Sequence, residues 1–83
     1  MTSEQIKNLI ETGLPGAEVQ VRGDGSHFEA VVVSDAFAGL SMVQQHQRVY
    51  ACLGDGMQGA IHALSMRTYT PEKWAAISGL QSL

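Results

Sequence analysis

The stretch from Ile61 to Trp74 constrains the fold most, because a strand pattern runs into a helix start with no linker between them. His62, Leu64, Met66 and Thr68 alternate with Ile61, Ala63, Ser65, Arg67 and Tyr69, so the two sets point to opposite faces of a strand. Thr70 can accept an orphan amide of the next helix, Pro71 suits its first position, and Glu72 favours its positive terminus. Trp74 then offers a large apolar body. The pattern fixes this stretch in the core and sets a histidine at the mouth of the strand.

The rest of the chain supplies what such a strand needs. Thr2 and Ser3 offer capping hydroxyls, Glu4 sits in the first turn, and Ile6, Leu9 and Ile10 follow at helical spacing. Gly13 stops this helix, and Leu14-Pro15-Gly16 turns the chain. Ala17 to Arg22 alternates as a strand with one wet face. Gly23-Asp24-Gly25-Ser26 has turn composition, and Phe28 to Val33 returns as the second strand of a hairpin. Val31-Val32-Val33 is apolar on both faces and predicts an interior position in the sheet.

Phe37 is the one aromatic anchor of the connector that follows. Ser41 can cap a helix whose stripe is Val43, His46, Val49, Tyr50 and Leu53. The glycine-rich run from Gly54 to Gly59 has room for a single helical turn around Met57. The last helix is expected from Pro71 to about Ser78, with fraying beyond. The order is α-β-β-α-α-β-α in one domain over residues 1–83. It predicts an α+β fold: a three-stranded mixed sheet with helices packed on one face, the third strand parallel to a hairpin strand.

Composition narrows the function. Of 83 residues, 45% are hydrophobic and 16% charged, enough for a two-layer core and too little charge for a disordered chain. A net charge of −3 argues against general attraction to nucleic acid or anionic membrane. Cys52 is the only cysteine, so there is no internal disulfide and no all-cysteine metal site. There is no membrane-length apolar run and no basic-then-apolar leader pattern, and the expected location is cytoplasmic.

Few residues carry chemistry. His46 lies on a helix stripe and reads as a core histidine bonded to a carbonyl or side chain. His27 and His62 stand at strand ends and could ligate iron, zinc or copper. Two isolated imidazoles are too few for a closed metal site, so they are either ordinary surface histidines or ligands whose shell a partner or small thiol completes. Cys52 reads as an inert helical thiol. No serine has a nucleophile-elbow context and no carboxylate pair has catalytic spacing, so an enzyme is not expected. Gly56-Met57-Gln58-Gly59 has a G-x-x-G form that can approach a nucleic-acid backbone, but Asp55 precedes it and no cation lies within. Arg48, Arg67 and Lys73 could form a modest basic patch.

Taken together, Phe37-Ala38-Gly39-Leu40-Ser41, Val43 to Tyr50, Ile61 to Met66 and Thr68 to Trp74 resemble the BolA family over nearly the whole chain. The Gly23-Asp24-Gly25-Ser26-His27-Phe28 hairpin is similar to its bacterial YrbA/IbaG-like branch. The resemblance implies a fold related to class II KH domains and a non-catalytic adaptor that binds monothiol glutaredoxin. It implies a 2Fe-2S cluster shared with glutaredoxin and glutathione, in iron–sulfur trafficking or iron and stress regulation, and none in the isolated protein. The family's ligand at the start of the last strand matches His62. A second ligand, histidine or cysteine, comes from the hairpin loop; this loop has no cysteine, and His27 is the nearest match. The resemblance also leaves room for a homodimer of the apo form. A second reading is a KH-like nucleic-acid-binding transcriptional regulator using Arg48, Gly56, Gly59, Arg67 and Lys73. A third is a scaffold without metal.

Overall fold

The computed structural model describes residues 2–54 and 63–81. Helix α1 (Ser3–Gly13) starts at Thr2 with a reciprocal cap: the Thr2 hydroxyl accepts the Gln5 amide at 3.1 Å, and Gln5 Oε1 accepts the Thr2 amide at 2.8 Å. Strand β1 (Glu18–Gly23) pairs antiparallel with β2 (Phe28–Val33). A 3-10 turn at Asp35–Phe37 follows, drawn tight by the Ser34 hydroxyl, which accepts the Ala36 amide at 3.1 Å. Helix α2 (Met42–Leu53) has its own reciprocal cap between Ser41 and Gln44. Strand β3 (Leu64–Tyr69) then lies parallel to β2, and α3 (Pro71–Gln81) begins with the Lys73 amide donated to the Thr70 hydroxyl at 3.3 Å.

The sheet order is β1-β2-β3, so the valine-rich strand β2 is central, as its two-sided apolar run predicts. The crossover through α2 makes β3 parallel to β2, also as expected. Ile6 and Ile10 of α1 and Val49 and Leu53 of α2 close over Val19, Phe28, Ala30, Val32 and Leu64. Phe37 is fully buried in the same core, so the connector's aromatic is an anchor in fact. Each such large side chain stabilises the fold by about 1.5–3 kcal/mol. The other sheet face carries Glu18, Gln20, Arg22, Glu29, Ser65 and Arg67, all exposed. Trp74 of α3 packs on Tyr69 at the end of β3, ring centroids 5.3 Å apart.

Three details differ from the pattern. Val43, expected on the inner stripe of α2, is 65% exposed; Gln45 turns inward instead. Gln45 Oε1 accepts the buried Thr68 hydroxyl at 2.6 Å, and its Nε2 donates to the Leu40 carbonyl at 3.0 Å, tying α2 to β3. The last helix runs past Ser78 to Gln81. The third strand starts at Leu64, whereas the alternation suggests a start near Ile61; residues 55–62 lie outside the described segments, and with them the expected turn around Met57.

Candidate functional site

The parallel register of β2 and β3 builds one corner of the sheet. Phe28 is the partner of Leu64, so the two strands begin side by side. His27 immediately precedes Phe28, and Ala63 immediately precedes Leu64. His27 is exposed, and its imidazole has no hydrogen bond or ion pair among the described residues. Its backbone is well held. Asp24 Oδ1 accepts the amides of both Ser26 and His27 at 2.9 Å, and the Asp24 amide donates to the His27 carbonyl at 3.2 Å. Gly25, with φ 94°, takes the left-handed conformation that this short reversal needs. The amides of His27 and then Ser26 hold the Asp24 carboxyl below its ordinary pKa, and the nearby imidazole adds to the effect.

His62, the other expected ligand, lies outside the described residues, as do Gly56 and Gly59. Among the described residues no three His, Cys, Asp or Glu side chains gather closely enough to hold a metal ion. The corner offers a donor, not a closed shell.

The cationic residues are not drawn into a common cleft. Arg67 lies on the open sheet face, where with Gln20, Arg22, Glu29, Val31 and Ser65 it lines a shallow hollow of about 530 Å³. Arg22 faces Glu29 there, Nε to Oε2 at 3.8 Å. Lys73 borders a smaller cleft with Phe37, Leu40, Met42, Gln45 and Thr68. Arg48 is exposed on α2 and lines neither.

His46 departs from expectation. It is half-buried, but its Nε2 is enclosed without a hydrogen-bond partner among the described residues, so the expected carbonyl or side-chain partner is not found there. Cys52 is half-buried and donates its thiol to the Arg48 carbonyl at 3.2 Å; burial raises its pKa, in keeping with an unreactive thiol. Asp24 and Gln45 are the residues that composition did not single out. The signal for Asp24 was present: an aspartate two and three residues before amides in a glycine turn is an Asx-turn pattern.

This fold and this corner define a small α+β protein that presents, among its described residues, single imidazoles and scattered cations. By its sequence the chain belongs to the BolA family: residues 10–73 match the model described as BolA-like protein. It is 40% identical over 76 residues to the acid stress protein IbaG of Escherichia coli, covering 90% of each chain. The DNA-binding transcriptional regulator BolA of Haemophilus influenzae is 46% identical over 55 residues, 66% of this chain and 53% of that protein. Among solved structures, a bolA protein homologue from Coxiella burnetii matches with a TM-score of 0.80 and 47% identity, over 90% of this chain and 97% of that one. Among the described residues no helix is long and apolar enough to cross a membrane.

Proposed function

We propose that this protein is a non-catalytic adaptor that binds a monothiol glutaredoxin and shares a 2Fe-2S cluster with it, with His62 and His27 as its ligands. The observation that carries the reading is the Phe28–Leu64 register. It sets the exposed His27 beside the strand start that His62 precedes by two residues. A pair of imidazoles is an incomplete donor set, and thiolates from glutaredoxin and glutathione have the chemistry to complete it. The Asp24 clamp holds the His27 backbone, and the ring is exposed with no hydrogen-bond partner among the described residues, which suits a ligand that must meet a docking partner. Imidazole in place of thiolate raises the potential of such a cluster and makes its binding sensitive to protonation. Membership of the BolA family and the stress-protein name of the Escherichia coli relative are in keeping with this.

The test mixes the protein with a monothiol glutaredoxin, glutathione, iron and sulfide, and records visible absorption and circular dichroism. The mixture should differ from glutaredoxin alone. His62→Ala should remove the difference, and His27→Ala should alter it without disturbing the fold, because His27 is exposed. A spectrum indifferent to His62→Ala rejects the assignment.

The second reading, a nucleic-acid-binding transcriptional regulator, is supported by the name of the Haemophilus influenzae relative and by the exposure of Arg48, Arg67 and Lys73. The net charge of −3 weighs against it. Duplex DNA binding that weakens with salt and with Arg67→Ala or Lys73→Ala is its signature.

A further inference from the structure

Among the described residues strand β1 is an edge of the sheet with no strand on its outer side, and that side has a readable hydrogen-bond pattern. The Asp24 amide bonds to the His27 carbonyl, which fixes the phase of the β1–β2 ladder. Bonded pairs then fall at Arg22–Glu29, Gln20–Val31 and Glu18–Val33. The other side of β2 agrees: the Ser34 amide bonds to the Tyr69 carbonyl, so the even-numbered residues of β2 face β3 and the odd-numbered ones face β1. The backbone groups of Val19, Val21 and Gly23 therefore point outward from β1, away from β2.

We infer that this edge pairs with the same edge of a second copy of the chain, antiparallel, about a two-fold axis at Gln20. Three features select this occupant and this register. In it, Val19 and Val21 exchange both backbone hydrogen bonds with Val21 and Val19 of the other copy, as the free groups require. The same register sets Glu18 opposite Arg22 of the other copy, twice by symmetry, in the closer non-bonded pairing where side chains meet. Moving the axis to Val21 would set Glu18 against Asp24, and moving it to Val19 would set Glu18 against Gln20, so only one centring is charge-complementary. Third, Val21 is the half-exposed apolar residue of the β1 edge, and this pairing sets it beside Val19 of the other copy.

The resulting sheet has six strands, with the polar faces of the two copies continuous. The axis sends the two hairpin turns to opposite ends, so the corner holding His27 stays open. One short strand pair is a small interface, and the dimer is correspondingly weak and concentration-dependent. It does not depend on the histidines or on any cluster.

Sedimentation equilibrium from about 20 µM to about 1 mM, beside amide chemical shifts on dilution, tests this. The wild-type chain should dimerise, with the largest shifts at Val19, Val21 and Gly23. Glu18→Arg and Arg22→Glu should each weaken the dimer by roughly tenfold or more, because each turns both attractive pairs into repulsive ones. The double swap Glu18→Arg/Arg22→Glu should restore it. Val21→Pro removes an outward amide without touching the β1–β2 ladder, and should leave a monomer. The charge variants alter exposed side chains and keep the test valid if the proline variant does not fold. A monomer at every concentration, a dimer indifferent to the charge reversals, or a swap that fails to restore it overturns the inference.

Discussion

Replacing Gly13 with alanine sets two effects against each other. Gly13 is the last residue of α1, and alanine there gains helix propensity, at most about 1 kcal/mol. The new methyl would lie 2.5 Å from Cys52 Sγ, 2.9 Å from Cys52 Cβ and 3.3 Å from Cys52 Cα on α2. Carbon atoms in good contact sit about 3.5–4.0 Å apart. Rotating the thiol relieves only the first conflict. The other two involve atoms fixed to the α2 backbone, and their relief needs the helices to part by roughly 0.5–1 Å. Overpacking of this kind costs about 1–3 kcal/mol, and here it loosens Ile6 and Ile10 against Val49 and Leu53. Because two atoms fixed to the α2 backbone must move, the cost is taken at about 2–3 kcal/mol, and the expected net loss is at least about 1–2 kcal/mol. At this chain length each kcal/mol lowers Tm by about 4–8 °C. Urea and thermal unfolding followed by far-ultraviolet circular dichroism measure it. Cys52→Gly removes both Cβ and Sγ from the contact, so Gly13→Ala should be better tolerated on that background, with a favourable coupling of about 1 kcal/mol or more. A Gly13→Ala protein as stable as its parent, or strictly additive effects in the double variant, refutes the close-approach argument.

Two other expectations concern polar contacts. Thr68→Val keeps the side-chain shape but strands Gln45 Oε1 without its donor, and should cost about 1–2 kcal/mol as a lower urea midpoint with unchanged slope; an unchanged midpoint removes the α2–β3 tether from the account of stability. The Asp24 carboxyl titrates below its ordinary 3.8, so its support of the hairpin turn is complete above that value and fades as pH falls through the lowered folded pKa. The Ser26 and His27 amide resonances should follow that titration in acid, and should lose it in Asp24→Asn, which still offers an oxygen to both amides.

Much of the architecture is legible in local patterns. Strict alternation marks β1, the triple valine marks the central strand, and Thr70-Pro71-Glu72 marks the start of α3. What fails is legible only in three dimensions. Val43 looks like a core residue by type, but it lies six residues from Val49, about 120° away around the helix, and the core is centred on Val49. Gln45 looks like a surface residue by type, yet it is on the buried side because Thr68 supplies a partner there. Gly79 looks like a stop for α3, but a single glycine costs only about 1 kcal/mol within a helix, and the helix continues to Gln81. Of the candidate site, the sequence yields His27 and His62 as candidates but not the surroundings of His27. The pairing of Phe28 with Leu64 is a register between segments remote in sequence, and no local signal encodes it.

That register also dictates when the corner beside His27 comes into being. The hairpin is a local structure, closed by a short reversal, and can form early. Its parallel neighbour must wait for the whole α2 crossover to be laid down and folded back. During synthesis His27 therefore emerges long before the strand that completes its surroundings, and a chain cut short before β3 carries the hairpin without the corner. A partner that reads both strand starts at once therefore meets only chains in which β3 is already in place.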